Sequence, residues 1–150
     1  MGETCSKEHL PQGPWTEDIE KYPERVYEFP SNGYACKIVR QKGWNWNGYI
    51  TLPLTHPDYG KNYNDIDVHV HGGLTFSENG RFGFDCAHLT TDIIPIHFYL
   101  NKKDPVLFPL FDGPRFCSQT FKDFEFVKKE VESMATQFKN RETLKLDDDS

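Results

Sequence analysis

The chain has 150 residues, of which 37% are hydrophobic, 15% aromatic and 27% charged. That length fits one domain burying roughly 70% of its unfolded surface, so folding requires neither disulfides nor a metal. A formal net charge of −6 excludes a global electrostatic pull toward nucleic acid or anionic membranes, and no apolar run approaches the roughly 18 residues of a bilayer span.

Residues 1–33 read as a lead-in segment, because Pro11, Pro14, Pro23 and Pro30 interrupt any long element. Thr16, followed by Glu17 and Asp18, predicts one short capped helix through about Tyr22. The rest is expected to lie extended over the body, held by Trp15, Tyr22, Tyr27 and Phe29. Met1–Leu10 is polar and carries no signal segment. The four cysteines (Cys5, Cys36, Cys86, Cys117) form no CxxC pair and read as reduced thiols of a cytoplasmic protein.

A domain is expected over 34–140. Tyr34–Arg40 and Gly48–Pro53 are β-rich and flank a Gly- and Asn-rich loop containing Trp44 and Trp46, which predicts a hairpin. Asp65–Phe76 and Arg81–Leu89 read as a third and fourth strand around the turn Ser77–Gly80. Ile93–Leu100 is an apolar stretch with strand character. Thr120 and Asp123 suggest a capping box, and Phe124, Val127, Val131, Met134 and Phe138 recur at helical spacing. One amphipathic helix from about Phe121 to Asn140 follows, with Lys128, Glu132 and Gln137 on its solvated face and 141–150 as a flexible acidic tail. The fold class is therefore α+β: an antiparallel sheet of four or five strands with the helix packed on its apolar face.

The chemistry-bearing segment is Asp65-Ile66-Asp67-Val68-His69-Val70-His71-Gly72-Gly73. Alternation in an extended chain sends the aliphatics to one side and two carboxylates with two imidazoles to the other. Those side chains coordinate divalent metals and move protons. Asp85 and His88 of the neighbouring strand can join the row, Asp92 lies four residues on, and His56 can close it from a loop. His71, His88, Asp85 and His69 are the candidate metal ligands, for zinc, manganese or iron, and Asp67 or His56 the candidate proton-transfer group. No organic cofactor is expected. A metal-free acid/base or ligand site and a purely structural polar strand face compete with this reading. Gly72-Gly73 permits positive φ or a close approach. Cys86 alternates with Phe82 and Phe84 and is expected in the core rather than as a nucleophile.

Taken in order, Thr55-His56-Pro57-Asp58-Tyr59-Gly60, Tyr63-Asn64-Asp65-Ile66-Asp67-Val68, His71-Gly72-Gly73-Leu74-Thr75-Phe76 and Gly83-Phe84-Asp85-Cys86-Ala87-His88 resemble the signature of a family of small uncharacterised proteins encoded by tailed phages and large DNA viruses. The resemblance spans about residues 34–140. It implies a viral protein of the host cytoplasm and marks His56, Asp65, Asp67, His71, Asp85 and His88 as matching positions, with His69 departing where relatives often carry Asp. It implies no particular reaction. The leading expectation is a small metal-assisted hydrolase acting on a nucleotide-like or other phosphorylated metabolite, with Lys61 and Arg81 as nearby cations. The alternative is a non-catalytic module that sequesters a small molecule or docks on a host protein. A small-molecule partner is expected, and neither nucleic acid nor membrane.

Overall fold

The computed structural model describes residues 12–88, 92–107 and 120–148. Cys5, His9 and Cys117 lie outside them. Five strands, β1 (Val26–Ser31), β2 (Tyr34–Arg40), β3 (Trp46–Thr51), β4 (Phe76–Glu78) and β5 (Arg81–Asp85), form one antiparallel sheet of order β1-β2-β3-β5-β4. Among the described residues three α-helices accompany it: α1 (Thr16–Lys21), α2 (Pro95–Lys103) and the long α3 (Phe124–Asp148). The expected α+β architecture is what the chain adopts. Among the described residues no helix is long and apolar enough to cross a membrane.

The lead-in contributes a strand that the sequence reading left out. Asn32 and Gly33 both take positive φ (54° and 83°), the geometry of a two-residue hairpin turn, and they fold β1 back onto β2. Asn79 and Gly80 do the same between β4 and β5. Trp15 and Ile19 of the α1 region pack with Trp44 in a small second core. No side chain caps α1; Thr16 Oγ1 instead accepts from Gly13 N–H.

The main core lies between α3 and the inner sheet face. Ile38, Trp46, Ile50, Phe82 and Phe84 meet Phe124, Val127, Val131, Met134 and Phe138, all buried. Gly48 of β3 is the closest approach: a Cβ there would lie 2.6 Å from Val131 Cγ2 and 2.7 Å from Phe84 Cε1. The cap of α3 is Asp123, whose Oδ1 accepts Phe126 N–H at 2.9 Å, so the helix begins three residues after the expected Phe121. A second carboxylate, Asp18, accepts from Phe124 N–H at 3.2 Å and from Trp46 Nε1–H at 2.8 Å, joining α1, sheet and α3 at one point. Burial raises the Asp18 carboxyl above its ordinary 3.8, against the pull of those two donors. At its other end α3 continues through Asp148, where a flexible tail was expected.

Two further expectations are corrected. Ile93–Leu100 is not a strand; Pro95 occupies the first turn of α2, where its missing N–H has no partner to lose. Asp65–Phe76 is extended over much of its length, yet only Phe76 onward joins the sheet. The segment instead lies on α3. Gln137 accepts His69 N–H and donates to His69 O, both at 2.7 Å, and Glu130 accepts His71 N–H at 2.7 Å. Helix side chains thus replace a neighbouring strand, while Val68 enters the core and Asp67 and His69 face outward as alternation requires. Gln137, expected in solvent, is half-buried by this role.

Replacing Gly48 by Ala forces Val131 or Phe84 aside and is expected to cost about 1–3 kcal/mol, read as a lower urea midpoint at unchanged slope.

Candidate functional site

After Val70 the chain turns from α3 toward the sheet edge. Gly72 and Gly73 both have positive φ, and Gly73 N–H bonds to Val70 O, closing a tight corner. His71, just before the corner, sits edge-on to the Phe126 ring at 5.3 Å between centroids. His88, three residues past the end of β5, lays its ring over Gly72. A Cβ at Gly72 would fall 2.0 Å from His88 Nε2, so the corner admits only glycine for both backbone and space. The two imidazole centroids are then 5.4 Å apart.

Asp92 draws the pair together. It is 1% exposed and fixed by a parallel bridge to Thr120, with Ile93 N–H bonded to Thr120 O just ahead of α3. His71 Nε2 lies 2.8 and 3.0 Å from its two carboxylate oxygens, and His88 N–H donates to Oδ2 at 2.9 Å. Lys122 Nζ pairs with Oδ1 at 3.2 Å. An ionised carboxylate only accepts, so the Nε2 of His71 carries a proton. Asp85 stands behind His88 with Oδ1 at 3.5 Å from Nε2, steadied by Thr75 Oγ1–H and Ala87 N–H. His88 Nε2 itself is buried and has no hydrogen-bond partner.

One donor atom from each of His71, His88 and Asp92 lies within 4.8 Å of the others. A tetrahedral zinc with bonds of about 2.0–2.1 Å holds its ligands roughly 3.3 Å apart, so the cluster must contract by about 1.5 Å to close on an ion. The orphaned His88 nitrogen is the group in this cluster whose pairing an ion would complete.

Of the residues singled out in the sequence, the structure brings together His71 and His88, with Asp85 at the rear. Asp67 and His69 pair with each other at 3.0 Å, each 84% exposed, on the open side of the strap rather than in the cluster. Asp65 is exposed in a turn of 3-10 helix over Tyr63–Asp65. His56 serves the opposite end of α3. Its Nδ1 accepts Asp58 N–H at 2.9 Å, so Nε2 is the protonated nitrogen and donates to Phe138 O at 2.8 Å. Phe138 is twelve residues, roughly 18 Å of helix, from the Phe126 that touches His71, and His56 is no proton-transfer group for this cluster. Lys61 is committed to Asp58 at 3.2 Å. Cys86 is 1% exposed, and burial, then the nearby Asp92 and Asp85, raises its thiol far above the ordinary value, so it supplies no thiolate.

Sequence reading placed Asp92 only near the cluster and left Lys122, Phe126 and Glu130 out. Spacing carries no signal for them, because a crossing of chain ahead of α3 brings them in.

No family model, curated protein or solved structure matches the chain.

Two outcomes are expected. Gly72→Ala should displace His88 and cost about 1–3 kcal/mol, with the His71 and His88 imidazole NMR signals shifting together. For Asp58, burial works to raise the carboxyl, but Arg141 (2.5 and 3.1 Å) and Lys61 outweigh it and hold it below 3.8. Its charge therefore stabilises the fold above about pH 4 and ceases to as pH falls through the lowered folded value. Asp58→Asn should lose about 3–5 kcal/mol at neutral pH and show a flatter acid limb in pH-dependent unfolding.

Proposed function

We propose that the chain is a divalent-metal hydrolase whose centre is His71, His88 and Asp92, acting on a phosphorylated, nucleotide-like metabolite. The observation that carries this reading is the convergence of three donor side chains within 4.8 Å, one of them offering a buried imidazole nitrogen that makes no hydrogen bond. An ion of the zinc class held by such a set polarises a phosphoryl oxygen and lowers the pKa of a bound water to about 7.

The remaining groups act on position and charge. Asp85, 3.5 Å from His88 Nε2, faces the nitrogen an ion would take, and Glu130, by holding His71 N–H, fixes the strap that carries the other ring. Lys122, 11% exposed and beside Asp92, supplies a cation for an anionic substrate once an ion takes over the carboxylate. Gly72 lets a ligand approach backbone at the corner without meeting a side chain of its own.

A second reading is favoured by one observation: Asp92 is already paired to Lys122 and to His71 Nε2. In that state His71 with Asp92, and His88 with Asp85, are two carboxylate-backed imidazoles able to act as a metal-free acid and base. Zinc titration separates the two. After chelator treatment and without an affinity tag, wild type should take up about one equivalent, and His71→Ala and His88→Ala should take up none, with the fold retained by circular dichroism. Uptake below about a tenth of an equivalent, with no heat on titration, would sink the metal centre and leave the acid/base pair.

A further inference from the structure

The sheet face opposite α3 carries a second feature. Strand register puts Thr51, Arg81 and Glu78 side by side on it, with Phe76 opposite Gly83. With Asn79 of the turn, these residues line a hollow of about 230 Å³. That is below the roughly 300–1,000 Å³ of pockets for whole drug-sized ligands and suits a single ring system. Phe76 is half-buried and held edge-on to Tyr49 (5.7 Å, 89°), while Tyr49 lies across Gly83, where a Cβ would meet its ring at 2.4 Å. Arg81 and Glu78 are exposed, and their side chains make no hydrogen bond or ion pair among the described residues.

We propose that this hollow binds the guanine base of a nucleotide whose phosphates reach the His71–His88 centre. Guanine offers two acceptors, O6 and N7, that match a guanidinium bidentately, and two donors, N1–H and the N2 amine, that match a carboxylate. Its ring face suits the Phe76 phenyl. Adenine turns an amine toward Arg81 and leaves Glu78 without a donor pair. A hollow holding both a guanidinium and a carboxylate repels a bare phosphate about as much as it attracts one, whereas a neutral base with both kinds of edge uses both groups. Length fits as well. Arg81 and Asp85 lie on one face of β5, four residues or roughly 13 Å apart, and Asp85 is 3.5 Å from His88. Ribose and phosphates bridge that stretch over the Tyr49–Gly83 surface. This inference rests on the proposed function, in that His71 and His88 are its reacting end.

The test titrates the full chain with GMP, IMP and AMP by calorimetry, without added metal. GMP is expected to bind about ten-fold tighter than AMP, with IMP, which lacks the N2 amine, in between. Glu78→Gln should erase the difference between GMP and IMP, and Arg81→Gln should weaken GMP by about ten-fold, both at unchanged Tm because the two side chains are exposed. Equal binding of the three nucleotides, no binding at millimolar concentration, or variants that bind GMP like wild type would overturn the proposal. Guanosine and the His71→Ala/His88→Ala variant separate it from the reading on which it rests. Guanosine selectivity retained in a chain that takes up no zinc and hydrolyses nothing leaves the base site standing and removes the reacting centre. Zinc uptake without base selectivity does the reverse.

Discussion

The approach of α3 to the sheet at Gly48 is the contact on which the other arrangements depend. A side chain there would hold Val131 off β3 and lift the helix from the inner face. With the helix seated, its apolar stripe closes the core, and its flank comes within reach of the chain between Ile66 and His71. The same helix is therefore both the lid of the core and the partner of the strap that carries the first imidazole. Packing sets the helix, and the helix then sets the geometry of the site.

Two buried carboxylates fasten that helix near its two ends, and a third, Asp92, lies beside the segment that leads into it. Asp18 meets the first N–H of α3, where the helix dipole favours a negative charge. Asp58 meets Arg141 near the other end, in a closed set with Lys61 and His56. Asp18 is satisfied by an indole N–H and a backbone N–H, and Asp58 chiefly by a guanidinium and an ammonium. Asp92 is set instead among the His71 ring, the His88 N–H and Lys122, none of them part of the helix. Of the three, it is the one that joins the two histidines of the candidate site.

Much of the architecture was legible from the sequence. The spacing of Phe124, Val127, Val131, Met134 and Phe138 identified the helix and its buried face, and strand composition identified the central hairpin. The Asn32-Gly33 pair is an equally clear hairpin signal, but the prolines around it favour an extended lead-in with one short helix. Pro30 sits in β1, at the edge of the sheet, where its missing N–H costs no ladder bond. From Asp65 to Val70 the alternation told inward from outward residues, but His71, in step with Asp67 and His69, turns in against Phe126 and Asp92, and the pattern was silent on what lay beside the strand. Pattern reports which side of a chain is apolar; it does not report whether a strand or a glutamine amide supplies the backbone bonds. For the same reason His71 and His88 were legible as site residues by type, whereas Asp92 and Lys122 depended on a tertiary crossing.

The two imidazoles ride on supports of unequal strength. His88 extends from β5, which is paired on both sides along part of its length. His71 is carried by a run of backbone held by Gln137 and Glu130 and by Val68, which is buried in the main core. Opening that run therefore takes Val68 out of the core as well as releasing the two helix side chains. The meeting of the two rings is thus tied to the packing of α3 on one side and to the pairing of β5 on the other.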